Sequence, residues 1–174
     1  MAVPLFIVAA TVCRFVGDRN WDPQEQLEKI QEFRGMGDLE QMEQTYLPIL
    51  KHLYGRLTDS RDRERLYDQF RTVVGAIISL GEPLSGTSLA TLLNMSLNAI
   101  TRRLHPLHSV LQIPIDLNSP IRTLHLSFPE FLLSGRCQQE PFGINGPATH
   151  RMLLTKCLNL LSGLFRLREN IYGL

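Results

Sequence analysis

Cysteine is scarce: Cys13, Cys137 and Cys157 are the only three in 174 residues, and none forms a C-x-x-C pair. So thin and scattered a set argues against a disulfide framework or a zinc site and predicts reduced intracellular thiols packed in a core. Charge of one sign is lacking too. A formal net charge of +1 supplies no field that would draw nucleic acid or an anionic membrane, so either role would need a local patch. The longest apolar stretch, MAVPLFIVAATVCRFV, is too short to cross a bilayer, contains Arg14 and has none of the basic lead-in of a signal peptide. No internal repeat or low-complexity tract is present. These absences predict a cytoplasmic globular chain with no membrane partner.

What is present is ordinary globular material, 44% apolar and 20% charged, enough for one good core or two small ones. The apolar start reads as a buried helix opened by Pro4, covered on nearly all sides, which predicts that the chain is a piece of a longer protein. Asp22, Pro23 and Glu25 supply cap, first turn and third position for a second helix that turns Leu27, Ile30 and Phe33 inward. Gly35 and Gly37 interrupt, and Leu39, Met42, Tyr46, Leu50 and Leu53 mark a third helix. The polar stretch GRLTDSRDRER then suggests a subdomain boundary near residue 57.

The middle of the chain has another rhythm. Leu66, Phe70, Val73, Ile77 and Leu80 form one stripe of a long helix closed by Gly81 and Pro83. Leu89, Leu92 and Leu93 carry a short helix, and Ser96 caps another with Leu97, Ile100 and Leu104 inward. SVLQIPI and IRTLHL read as strands joined by the turn-rich DLNSP. Helix, helix, helix, strand, wing, strand is the order of a winged helix. The stretch SGRCQQEPFGINGP reads as a linker or exposed loop, followed by a helix on Met152, Leu153, Cys157, Leu160 and Leu161 that Gly163 ends. The expected fold is therefore mainly α: a helical lid subdomain over 1–57, a winged-helix domain with a small β-hairpin over 58–135, and a linker opening a further helical domain over 136–174.

His125 is the residue with the most chemical promise. In IRTLHLSFPEFLL it closes the second strand, with Leu124 and Leu126 on one face, and stands two residues ahead of Ser127-Phe128-Pro129-Glu130, which reads as a capping box. It is either a strand histidine bonded to a backbone carbonyl or a donor to something anionic. His105 and His108 flank Pro106 at a helix exit and fit packing and capping better than metal, since no Cys or acid stands at ligand spacing. Arg102 and Arg103 on the would-be recognition helix fit a solvated face or a domain contact better than DNA, because the wing PIDLNSPIR balances one Asp against one Arg. No catalytic triad or paired carboxylates support a hydrolase.

VPLFIVAATVCRFVGD, TYLPILKHL, FRTVVGAIISLGEPLSGTSLATLL, RRLHPLHSVLQIP, SPIRTLHLSFPEFLL and CLNLLSGLFRLRENIYGL together resemble the segment that follows the nucleotide-binding core in fungal NACHT-type signalling ATPases, STAND-class relatives of NOD-like receptors. The resemblance covers almost all of the chain. It implies that a winged-helix histidine, here His125 in LHLSFPEF, contacts the β-phosphate of bound ADP and locks a closed state. It also implies that Pro4 in VPLF packs on adenine. A helix start suits anions and an imidazole can donate to phosphate, so the chemistry is reasonable. Pro129 stands where relatives carry Arg or Gln, and GINGPATH occupies the place of their acidic pair.

The nucleotide engine itself is missing from these residues. There is no G-x-x-x-x-G-K-[ST] and no strand ending in consecutive acids, so the chain alone is expected to be no enzyme. The resemblance implies a regulatory module closing over ADP or ATP held by an upstream NACHT domain, in the same or another polypeptide, with WD or ankyrin repeats following in relatives. The chain would then be a receptor portion, a truncated product or a mis-bounded gene. The competing expectation is a stand-alone winged-helix nucleic-acid binder.

Overall fold

The computed structural model describes the backbone of residues 3–18, 22–34, 41–54 and 60–171, and the side chains of 8–18, 22–31, 43–54 and 61–163. It is mainly helical, with a small antiparallel sheet of two strands. In chain order the elements are α1 (Val3–Val16), α2 (Pro23–Arg34), α3 (Gln41–Tyr54), α4 (Ser60–Ser79), α5 (Gly86–Leu93), α6 (Leu97–Leu104), β1 (Leu111–Gln112), β2 (Arg122–Thr123), α7 (Ser127–Leu133) and α8 (Gly146–Ile171).

Helix starts follow their caps. Asp22 accepts from the Gln24 amide at 2.8 Å and Pro23 opens α2, as Asp-Pro predicts. Ser96 accepts from the Ala99 amide at 3.2 Å to start α6. Ser85 does the same for α5 at 3.1 Å, and α5 closes on Asn94 in the left-handed region (φ 54°), where a short amide side chain is tolerated. α3 runs through Pro48, whose missing N–H costs about 3 kcal/mol or more in a helix interior. Burial offsets it: Tyr46, Leu47, Ile49, Leu50 and Tyr54 are all inside, with Leu50 and Ile49 fully so.

That burial is divided. Ile49 joins Phe15 and Ile30 in a small cluster against α1 and α2, whereas Tyr46, Leu47, Leu50 and Tyr54 belong to the main core with α4 to α8. In the main core Phe70 and Val73 of α4 meet Leu89, Leu93, Ile100, Leu104, Leu111, Ile121, Phe128 and Phe131. α8 crosses α4 at Gly75, where a Cβ would come within 3.2 Å of Thr149 Cγ2.

Several expectations are corrected. Leu27 is 44% exposed, and the fully buried residue on α2 beside Ile30 is Gln26, whose amide has no hydrogen-bond partner among the described residues. α1 is not covered all round, since Ala9, Cys13 and Arg14 are exposed. Cys157 is exposed as well, so Cys137 alone behaves as a core thiol. The stretch read as a linker instead buries Cys137, Phe142 and Ile144, with Phe142 ringed by Tyr54, Tyr67 and Phe70. Gly163 does not end α8, which continues to Ile171; a single helix-interior glycine costs only about 1 kcal/mol.

The strands are shorter than their apolar runs. Leu111 pairs with Thr123 and Gln112 with Arg122, and an isolated bridge joins Ser85 to Pro120 on the other side. The connecting loop is pinned down. Asp116 accepts from the Asn118 amide at 3.0 Å, the Thr87 amide donates to Leu117 O at 3.2 Å, and Ile121 N–H donates to Leu84 O at 2.9 Å. Ile115 projects fully into solvent at its tip. Among the described residues no helix is long and apolar enough to cross a membrane.

Candidate functional site

His125 lies past the end of β2 and is half-buried, in the turn that leads into α7. The expected strand alternation does not extend to it, for Leu126 is 72% exposed. Nor does the capping box form. Leu126 occupies the cap position with helical dihedrals and no side-chain cap bond, and Ser127 is already the first helical residue. The hydroxyl that would have capped is engaged elsewhere: Ser127 Oγ lies 2.9 Å from His125 Nδ1 and 2.7 Å from the Tyr46 hydroxyl.

The Ser127 backbone amide favours one tautomer of the ring. It donates to His125 Nδ1 at 3.0 Å, and an N–H can only donate, so Nδ1 carries its lone pair and the ring proton of the neutral imidazole is on Nε2. Neither a carbonyl partner nor any other acceptor is seen for Nε2 among the described residues. What the turn leaves on offer is therefore one N–H donor, suited to an anionic or carbonyl oxygen.

α3 supplies the other wall. Tyr46 is buried with its ring 5.2 Å from Phe128 and 5.4 Å from Phe131, centroid to centroid. Burial pushes its phenol up, the Ser127 hydrogen bond opposes that, and the Glu130 carboxylate adds to the rise, so the hydroxyl stays protonated. Beside it α3, α7 and residues 136–140 enclose a cavity of about 260 Å³ lined by Glu43, Leu47, Phe131, Arg136, Cys137, Gln139 and Glu140. Glu43, only 6% exposed, is paired with Arg136 at 2.9 Å, and Lys51 reaches Glu140 at 2.8 Å across the rim. The cavity holds no ready nucleophile: burial, then the charges of Glu140 and Glu43, push the Cys137 thiol up to about 12.

Pro4 is the second residue of α1; its side chain lies outside the described residues. His105 is exposed at the exit of α6, and His108 Nδ1 lies 3.2 Å from His105 O while its Nε2 is 3.8 Å from Asp18. No group of three potential metal ligands occurs among the described residues. Arg102 is exposed, and Arg103 turns back to donate to Ala99 O at 2.6 Å. No family model, curated protein or solved structure matches the chain.

Sequence reasoning missed Tyr46 as a site residue and misassigned Ser127. Tyr46 sits in an apolar stripe at helical spacing and looks like core filling, which its ring is. Its hydroxyl partner lies 81 residues away, beyond any local pattern. The Glu43–Arg136 pair spans 93 residues and was invisible for the same reason.

Proposed function

We propose that this chain is the lid and winged-helix portion of a NACHT-type signalling ATPase, and that His125 donates from Nε2 to the phosphate of ADP held by a nucleotide-binding domain upstream. The observation that carries the reading is the bare Nδ1 of His125, fixed by the Ser127 amide, which leaves Nε2–H as the ring's donor. A neutral ring with a directed N–H binds phosphate without requiring protonation. The order α4, bridged segment at Ser85, α5, α6, β1, loop, β2 supports the winged-helix assignment. Because α7 has only seven residues, the site leans on the ring and not on a helix dipole.

In this reading the module works by differential contact. It closes where ADP offers His125 an oxygen and opens where that contact is lost, and the shift is bounded by the worth of the contact, about 1.5–3 kcal/mol for a hydrogen bond to a charged group. The test is ADP release from the longer polypeptide that carries the nucleotide-binding domain. His125→Ala should speed it roughly ten- to a hundredfold, the same energy expressed as a rate. Unchanged release, or the absence of any P-loop encoded in frame upstream, would contradict the assignment.

The rival reading, a nucleic-acid binder, draws on one observation: burial, then the like charges of Arg102 and Arg65, lower the Arg103 pKa, so three guanidinium groups lie close enough to repel one another. Duplex binding with a steep salt dependence, lost in Arg102→Ala, would favour it.

A further inference from the structure

The contact between α3 and the histidine turn has more detail than packing alone requires. Tyr46, Ser127 and His125 form a chain: Tyr46 hydroxyl to Ser127 Oγ at 2.7 Å, Ser127 Oγ to His125 Nδ1 at 2.9 Å, and the Ser127 amide to the same Nδ1 at 3.0 Å. One direction of donation accounts for all three contacts, with the amide and the serine hydroxyl sharing the single lone pair of Nδ1. The amide must donate, so Nδ1 is an acceptor. Were the Ser127 hydroxyl to spend its hydrogen on Tyr46, it would face Nδ1 with a lone pair against a lone pair. The serine therefore donates to Nδ1, and Tyr46 donates to the serine. The buried phenol, which keeps its proton, suits that role.

We propose that Tyr46 is a positioning residue for His125: through the Ser127 hydroxyl, α3 holds the imidazole in the tautomer whose donor is Nε2–H, so that the seating of α3 on α7 controls what His125 can offer an anionic oxygen. Tyr46 touches no ligand itself in this account. Its ring, set between Phe128 and Phe131, fixes where α3 sits, and its hydroxyl reports that seating to the histidine. If α3 moves away, the serine hydroxyl is released to accept from Nδ1–H in competition with the Ser127 amide, and the competing tautomer, which points its donor inward, gains population. The inference rests on the reading of His125 as the anion-facing donor, and it supplies that site with a means of control from the lid.

The test uses the labelled chain without nucleotide, so that its outcome is separate from that of ADP release. Long-range proton–nitrogen NMR of the His125 ring, at a mildly alkaline pH where imidazoles are neutral, reports the two tautomers directly. The wild-type ring should be almost wholly Nε2–H. Tyr46→Phe, which keeps the ring and removes the hydroxyl, should raise the Nδ1–H population several-fold. In a Ser127→Ala background the same substitution should change nothing further, because the relay is already cut. A wild-type tautomer ratio in Tyr46→Phe, or an equal shift in both backgrounds, would overturn the proposal. Should Tyr46→Phe fail to fold, Ser127→Ala alone decides: an unmoved ratio there overturns it, and a raised Nδ1–H fraction supports it. Failure of this experiment leaves the ADP assignment standing, whereas unchanged ADP release with the expected tautomer shift strikes that assignment alone.

Discussion

The first three helices and the segment from 60 to 153 bury different kinds of side chain. In the early region Thr11, Gln26, Glu43, Thr45 and His52 are buried, beside an apolar cluster built on Phe15, Ile30 and Ile49. From residue 60 onward the buried polar residues described are Ser109 and Thr149, set in a core that runs from Tyr67 to Leu153. α3 belongs to both, with Ile49 turned one way and Leu50 the other. Polar burial gains little net energy but restricts which arrangements are acceptable. α1 and α2 are held by a small apolar cluster and by the contacts of Phe15 and Lys29 with His52 of α3, while the later segment is held by area, and α3 is the element through which a movement of the former would reach the latter. Hydrogen exchange should accordingly show α1 and α2 amides opening before those of α4.

The contrast can be broken most severely at the main core. Phe142→Ala removes a ring shared with Tyr54, Tyr67 and Phe70 and should cost about 3–5 kcal/mol in urea denaturation; a cost near zero would mean that residues 137–144 are peripheral after all. Gly143→Ala comes next. Its Cβ would press on the Cys137 carbonyl and on Gln138 Cα, 2.6 Å away, and the overpacking should cost about 1–3 kcal/mol by the same measurement.

Alkaline pH probes the same place. The Cys137 thiol is raised from 9.0 to about 12 by burial, so its contribution is fully present below pH 9 and is lost as pH climbs toward 12, where the unfolded chain gains charge and the folded one resists. Stability in that window should fall less steeply in Cys137→Ala, and at neutral pH alkylation should label the exposed Cys13 and Cys157 well before Cys137. An equal rate at all three would place Cys137 outside the core.

Smaller effects sharpen the early region. Gln26→Met replaces a fully buried amide with no partner among the described residues and should stabilise the fold by about 1 kcal/mol. A loss instead would show that the amide makes a contact worth keeping. Lys51→Ala, at a half-exposed pair with Glu140, should change thermal stability by less than about 1 kcal/mol.

Local chemistry was legible at several helix starts and along the apolar stripes. Asp22-Pro23 and Ser96 announced helix starts, the stripe through Phe70 and Val73 announced α4, and the two strands fell inside the segments that alternation and turn residues marked. Ser127-x-x-Glu130 carried the right letters for a cap, yet the serine found better partners in Tyr46 and His125 once α3 was folded against it. Phe142 and Ile144 sit among prolines and glycines that mark irregular backbone, and irregular backbone can still fill a core when helices elsewhere leave a hole of that shape. His125 stood out from its neighbours in sequence; the tyrosine that reaches it through Ser127, from another helix, did not.

In the proposed reading His125 offers its Nε2 proton to a phosphate oxygen of ADP. Proton–nitrogen NMR of that ring in the nucleotide-bound polypeptide addresses it without inference. The account predicts a slowly exchanging, downfield Nε2–H resonance that is present with ADP bound and disappears when the nucleotide is removed; ring resonances identical in the two states would contradict it.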